Sequence, residues 1–172
     1  MRRAVITGLG IVSCIGNNKA EVVDSLRNCK SGITHSEEFA EMGFRSQIWG
    51  KPNIDITEHV DRRIRRFMGD GAAYNYIAMQ QAIEDSGLAE SEVSNERTGL
   101  IMGSGGPSVI NLIETADTAR SRGPKKVSPF MVPRTMSCLL YTHDAADDLT
   151  RVKSAAAHKL ADTTVYNAVT AQ

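Results

Sequence analysis

The sequence has few cysteines, no excess of one charge and no long apolar run. Its three cysteines, Cys14, Cys29 and Cys138, stand far apart among 172 residues, which excludes a disulfide-rich secreted scaffold and the paired spacing of a zinc site. We therefore expect a reducing compartment. No apolar stretch is long enough for a signal peptide or a membrane span, so we expect a cytoplasmic protein with no membrane partner.

The absence of net charge excludes a further class of partner. Lysine and arginine together number 20, as do aspartate and glutamate, so no nucleic-acid partner is expected. Apolar residues at 41% and charged residues at 23% are close to the globular average. A chain of this length forms one domain or part of a larger one.

Short β-branched runs alternate with helical periodicity, which predicts an α/β sheet. Residues 4–10 and 98–102 have the composition of strands buried on both faces. Asn18 caps a first helix, a longer helix over residues 71–86 ends at Gly87, and Ser108 opens a third. The buried faces are predicted to contain Val22, Val23, Leu26 and Cys29 in the first helix, Ala72, Tyr76, Met79 and Ile83 in the second, and Ile110, Ile113 and Ala116 in the third.

Two regions lack this periodicity. Residues 33–60 are predicted as loops with one short strand at 44–49. Residues 121–133 contain three prolines and are predicted as an irregular, extended segment.

Glycines follow both predicted strands, and each group has two readings. The turn at Gly8 and Gly10 lacks the third glycine of a dinucleotide-binding G-x-G-x-x-G motif, so a structural turn is favoured over a nucleotide site. The second group, Gly103 to Gly106, lacks the Gly-Lys-Ser/Thr ending of a phosphate-binding loop. Glycines there are expected to let the backbone pass close to another chain or a ligand.

The charged clusters do not indicate a function by themselves. Arginines at 62, 63, 65 and 66 (the arginine cluster) are expected either to contact an acidic partner or to lie in water on a surface turn. The histidines His35, His59, His143 and His158 are scattered and expected to be solvated. The run from His143 to Asp148 is read as a solvated acidic face rather than a metal site. No metal and no cofactor are predicted.

Taken in order, several short motifs resemble one family. Residues 3–13 (RAVITGLGIVS), 61–68 (DRRIRRFM), 103–106 (GSGG) and 123–133 (GPKKVSPFMVP) are similar to the N-terminal portion of β-ketoacyl-acyl-carrier-protein synthases. The resemblance is greatest to the bacterial type I form. It covers residues 1 to about 137 and does not extend to residues 138–172.

The resemblance implies a fold and a reaction. The fold is thiolase-like, with five αβαβα layers built from two similar halves, of which this chain would hold an incomplete, N-terminal part, and the family forms homodimers. The reaction belongs to fatty acid biosynthesis: an acyl group held on an enzyme cysteine condenses with malonyl-acyl-carrier-protein, which loses carbon dioxide. Acyl carrier protein is therefore the implied partner.

The resemblance also assigns roles to particular residues. Gly105, Gly106, Pro107 and Ser108 are expected at the dimer contact, where one subunit helps to wall the acyl pocket of the other. Phe130 is expected near the entrance of that pocket. The arginine cluster, Arg62, Arg63, Arg65 and Arg66, is expected to contribute to docking of the acidic carrier protein.

The family's catalytic cysteine and two histidines have no counterpart in residues 1–172. Cys138 is followed by Leu139, Leu140 and Tyr141 instead of small residues, and nothing near it would lower a thiol pKa. We therefore expect a chain that is inactive alone, with a tail at 138–172 that is foreign to the enzyme or disordered. The alternatives are a non-catalytic module that dimerises or binds carrier protein and, more weakly, a nucleotide-binding α/β domain.

Overall fold

The computed structural model describes residues 4–136 and the backbone of a strand at 168–170. In these ranges no helix is long and apolar enough to cross a membrane. The strands are β1 (Gly10–Val12), β2 (Thr34–His35), β3 (Ile48–Trp49) and β4 (Ala168–Thr170). The helices are α1 (Lys19–Arg27), α2 (Glu37–Glu41), α3 (Ile56–His59), α4 (Arg62–Arg65), α5 (Asp70–Ser86), α6 (Glu90–Val93), α7 (Val109–Arg122) and α8 (Met131–Thr135), with a 3-10 helix at Pro124–Lys126.

Helix α5 and strand β1 form the centre of the packing. A β-carbon at Gly10 would lie 1.8 Å from the Ala78 carbonyl oxygen, and one at Gly8 would lie 2.0 Å from that of Ala82. Only glycine permits this approach of strand to helix. The approach places the fully buried Val12 in the core, whose other buried members are Val60, Met68, Ala73, Ile77 and Ala78.

The ends of α5 are those that the sequence predicts to within one residue, but its buried face differs. Gly87 adopts the left-handed conformation (φ 66°) and stops the helix, as predicted. Of the predicted face only Met79 is buried; Ala72, Tyr76 and Ile83 are partly exposed. The helix is covered on two sides, by β1 and by the segment with Leu100 and Met102, so the buried residues are Ala73, Asn75, Ile77, Ala78, Met79 and Ala82.

Helix α1 begins as predicted and ends earlier. The Asn18 side chain accepts a hydrogen bond from the Glu21 amide at 3.0 Å, which confirms the cap. Only Val22 and Ser25 are buried, because Ser25 Oγ donates to the Ile15 carbonyl and this face lies against the preceding turn. The predictions for the other face are wrong, since Val23 and Leu26 are exposed.

The two cysteines near α1 differ in environment. Cys29 was predicted on the buried face, but it lies beyond the helix at φ 52°, a left-handed conformation that turns the chain away, and it is exposed. Cys14 is half-buried beside Gly50, whose β-carbon would lie 3.2 Å from its Sγ. The prediction of a core position therefore fails for Cys29.

Both predicted long strands are corrected by the structure. The first strand begins at Gly10, and Val5 and Ile6 before it are 75% and 72% exposed. Residues 98–102 form no strand: Ile101 is 71% exposed. A strand requires a neighbour that completes its hydrogen bonds, and the described residues place β4 beside β1, in parallel, and no strand beside 98–102.

The regions predicted as irregular contain more structure than expected. Strands β2 and β3 pair antiparallel, so the short strand predicted at 44–49 is confirmed at its end. The prediction of an extended segment at 121–133 is wrong. Gly123 ends α7, Pro124 starts the 3-10 helix, and Pro133 lies in the first turn of α8, where no amide donor is needed.

Helix α7 turns a different face inward from the one predicted. Ile110 and Ile113 are 75% and 56% exposed, and Ala116 is half-buried. The buried residue is Asn111, whose side chain donates to Ser108 Oγ at 2.7 Å. That face lies towards α8 and the 3-10 helix, so an apolar face of α7 is left uncovered by the residues that the structure describes.

Asp85 ties the start of the chain to α5 and α1. Its carboxylate accepts hydrogen bonds at 3.0 Å from Lys19 Nζ and from the Leu9 amide. The hydrogen bond from Lys19 and then that from Leu9 lower the pKa of Asp85 below its ordinary value of 3.8. The pKa of Asp85 is lower in the folded state than in the unfolded state. The ionised carboxylate therefore stabilises the folded state above pH 3.8, and this stabilisation is lost as the pH falls through the folded-state pKa.

We therefore expect Asp85→Asn to reduce the loss of stability that the chain suffers on acidification from pH 7 to about pH 3. Asparagine can still accept from the Leu9 amide but does not titrate. Urea unfolding at the two pH values measures the difference. Asp117→Asn is the control, since Asp117 lies 3.9 Å from Arg120 on the surface. An identical acid-induced loss in wild type and Asp85→Asn would contradict the assignment.

Candidate functional site

The arginine cluster is built on α4, one turn of helix. Asp61 caps this turn, because its side chain accepts from the Arg63 amide at 2.7 Å. Ile64 packs against the core and fixes the turn to the body of the protein. The neighbouring arginine side chains therefore face outward: Arg62, Arg63 and Arg66 are exposed and Arg65 is half-buried.

The charge of Arg65 acts on the carboxylate of Asp55, which precedes α3. The pKa of Asp55 is lowered mainly by its hydrogen bond with Thr57, and the positive charge of Arg65 lowers it further. The charge of Arg65 is thus partly balanced within the protein. Arg62, Arg63 and Arg66 form no ion pair with any carboxylate of residues 4–136.

Phe130, predicted at a pocket entrance, lies next to this cluster. Its ring packs edge-to-face on Phe67, with centroids 5.2 Å apart and an angle of 84°. The Arg66 guanidinium carbon lies 4.8 Å from the Phe67 centroid and 5.3 Å from that of Phe130. The structure therefore brings together two features that the sequence presents about sixty residues apart.

The predicted dimer-contact loop is an exposed turn. Gly105, Gly106 and Pro107 are exposed, and Ser108 is half-buried at the start of α7. Ser104 Oγ donates to the Gly106 carbonyl at 2.8 Å. Added β-carbons at Gly105 and Gly106 would meet nothing within 4 Å, so packing within the described part of the chain does not account for these glycines.

Gly69 joins the loop to the aromatic pair. A β-carbon there would lie 2.9 Å from the Arg134 carbonyl oxygen and 3.1 Å from the Ser108 β-carbon. The starts of α5 and α7 and the end of α8 therefore meet at one glycine. Phe67 lies two residues before it, and Phe130 directly precedes α8. Sequence reasoning missed Gly69 because a glycine before a helix also reads as an ordinary N-terminal cap.

The first glycine turn leaves no room for a dinucleotide. The positions that β-carbons of Gly8 and Gly10 would take are filled by the backbone of α5, whereas a phosphate site needs open backbone amides. The Ile11 amide is also satisfied, by Gln81 Oε1 at 3.1 Å. These contacts favour the structural turn over the nucleotide reading.

No metal centre is found in the part of the chain that the structure describes. There, no group of three His, Cys, Asp or Glu side chains could hold an ion. His35 and His59 are exposed, as predicted. The run from His143 to Asp148, together with His158 and Cys138, lies outside the described residues, so the predictions for these positions stay predictions.

Similarity to known proteins extends over most of the chain. A family model described as "Beta-ketoacyl synthase, N-terminal domain" matches residues 1–142. The 3-oxoacyl-[acyl-carrier-protein] synthase 1 of Haemophilus influenzae is 51% identical over 138 residues, which are 80% of this chain and 34% of that protein. The chain thus spans about a third of the length of the curated relatives it matches.

Solved structures agree in fold. A β-ketoacyl synthase from Burkholderia phymatum STM815 superposes with a TM-score of 0.69 at 23% identity, over 85% of this chain and 36% of that one. A type II polyketide ketosynthase in complex with its acyl-carrier protein gives 0.66 at 16% identity, over 88% and 40%. The fold is therefore an incomplete, N-terminal part of a thiolase-like α/β fold, and the chain belongs to the β-ketoacyl synthase family, whose N-terminal domain it carries.

Proposed function

We propose that this chain supplies the N-terminal part of a 3-oxoacyl-acyl-carrier-protein synthase of fatty acid biosynthesis. The observation that carries the proposal is the identity of about one residue in two with 3-oxoacyl-[acyl-carrier-protein] synthase 1. In the proposed reaction an acyl group moves from its carrier to an enzyme cysteine. Malonyl-carrier protein then loses carbon dioxide, and the resulting carbanion attacks the acyl thioester, which frees the cysteine and forms 3-oxoacyl-carrier protein.

In this proposal the arginine cluster docks the carrier protein. Exposed guanidinium groups suit an acidic partner, because each can donate two parallel hydrogen bonds to one carboxylate. One structural relative is a ketosynthase in complex with its acyl-carrier protein, which supports a carrier protein as the partner here.

The loop from Gly105 to Ser108 is proposed as part of a homodimer contact that walls the acyl pocket. Two features support this: β-carbons added at the loop glycines would meet nothing within 4 Å in the described residues, and the helix that follows carries exposed apolar side chains. Such a surface is typical of an interface. Phe130 is proposed at the entrance of the same pocket.

The proposed function is tested with a hybrid enzyme, in which residues 1–137 of this chain replace the matching segment of the Haemophilus influenzae relative. We expect the hybrid to release carbon dioxide from malonyl-carrier protein when a carrier protein loaded with an acyl group is supplied.

In the same hybrid, Arg62→Glu with Arg63→Glu should raise KM for the carrier substrate severalfold with little change in kcat, because these side chains act in docking. A folded, dimeric hybrid without condensation would overturn the proposal.

A further inference from the structure

We infer that Phe130, together with Phe67, positions the Arg66 guanidinium for a carboxylate of the carrier protein, which makes Arg66 the anchor of the arginine cluster. The inference rests on the docking role proposed above. It adds a division of labour within the cluster, and it makes Phe130 a positioning residue that acts on docking through Arg66.

The geometry holds the guanidinium between two elements. Arg66 lies over both rings, at 4.8 Å from the Phe67 centroid and 5.3 Å from the Phe130 centroid. A cation over an aromatic face is attracted by the ring quadrupole. Phe67 follows Arg66 directly in the chain, whereas Phe130 comes from the segment before α8. Phe130 is therefore the ring that holds the guanidinium against a segment distant in the sequence.

The other members of the cluster have no such support in residues 4–136. Arg62 and Arg63 are exposed and lie over no aromatic ring of that range. Arg65 is half-buried and interacts with the charge of Asp55. Arg66 alone combines an exposed side chain with a fixed guanidinium.

A fixed guanidinium is better suited to docking than a mobile one. An aromatic ring has no carboxylate or carbonyl oxygen, so the N–H donors of a guanidinium held over the rings stay available for a carboxylate. A side chain that is already ordered loses less conformational entropy on binding. Phe130 therefore strengthens docking even when its own ring does not touch the partner.

The test measures binding of apo acyl-carrier protein, which lacks the phosphopantetheine arm and reports surface docking alone. The full chain is compared with Arg66→Ala, Phe130→Leu and the double variant. Phe130→Leu keeps the apolar bulk, and we expect it to raise Kd about two- to fivefold. In the Arg66→Ala background the same change should have no further effect, because the group that Phe130 positions is absent.

Arg63→Ala is the matched control. It removes a guanidinium of the same cluster that has no ring beneath it. The fold-increase in Kd of the Arg63→Ala, Phe130→Leu double variant should therefore equal the product of the two single fold-increases. The inference is overturned if the fold-increases in Kd caused by Phe130→Leu and Arg66→Ala also multiply in the double variant, or if Phe130→Leu leaves Kd unchanged. Absence of any wild-type binding would overturn the proposed docking itself, so the two failures are distinguishable.

Two further readouts keep the inference testable if Phe130→Leu does not fold. Arg66→Lys keeps the charge and both rings but lacks the planar fork, so Kd should rise as with Phe130→Leu; an unchanged Kd overturns the inference. The chain has four phenylalanines, and 4-fluorophenylalanine labelling gives each a 19F resonance. Arg66→Ala should shift the resonances of Phe67 and Phe130, and Arg63→Ala should shift neither.

Discussion

Replacing Gly10 with alanine is expected to lower the free energy of unfolding by about 3 kcal/mol or more, because it forces main chain against main chain. The new β-carbon would lie 1.8 Å from the Ala78 carbonyl oxygen and 2.8 Å from the Ala82 nitrogen. Both atoms belong to the backbone of α5, so no change of side-chain rotamer relieves the contact. Strand β1 must move away from the helix, and the packing of Val12 is lost with it.

The effect is measured by thermal and urea unfolding followed by circular dichroism. A loss of this size is a large part of the about 5–15 kcal/mol that stabilises an ordinary domain, and the midpoint should fall by about 10 °C. Gly103→Ala is the matched control: its β-carbon would meet nothing within 4 Å, so stability should stay within about 0.5 kcal/mol. Equal effects of the two substitutions would show that β1 does not pack on α5 through Gly10.

The elements whose limits depend on local chemistry are those that the sequence predicts. The start of α1 follows from the cap between Asn18 and Glu21, and the end of α5 from the left-handed Gly87. Each is decided within a few residues. The buried faces and the strands depend on what lies opposite, so Ile110 is exposed where burial was predicted, and residues 98–102 form no strand.

Most residues of the candidate site are predictable from the sequence, but the contacts between them are not. The arginine cluster and Phe130 are found from their resemblance to a family, as separate features. Their contact through Phe67 depends on where the segment before α8 meets α4, and no spacing in the sequence encodes that distance. Gly69, where the starts of α5 and α7 come together, carries no motif; it is identified by the space that a β-carbon there would share, 2.9 Å from the Arg134 carbonyl oxygen and 3.1 Å from the Ser108 β-carbon.

The apolar face of α7 leads to the second large expected effect, on self-association. Ile110 and Ile113 stand three residues apart on one face of the helix and are 75% and 56% exposed. They directly follow the loop that we propose at the dimer contact. Burying an isoleucine contributes about 1.5–3 kcal/mol. Ile110→Asp with Ile113→Asp should therefore raise the dimer Kd about a hundredfold or more.

Sedimentation equilibrium of the full chain over a range of concentrations measures this effect. Ile48→Asp is the matched control, since Ile48 is 58% exposed in β3 and the chemical change is the same. The control should remain as dimeric as wild type, and the double variant should be monomeric. Its unfolding midpoint should equal that of wild type at concentrations where wild type is also monomeric, because the mutated side chains are exposed in the monomer. A wild-type chain that is monomeric at all concentrations, or one dissociated equally by Ile48→Asp, would rule out α7 as the face that a second copy covers.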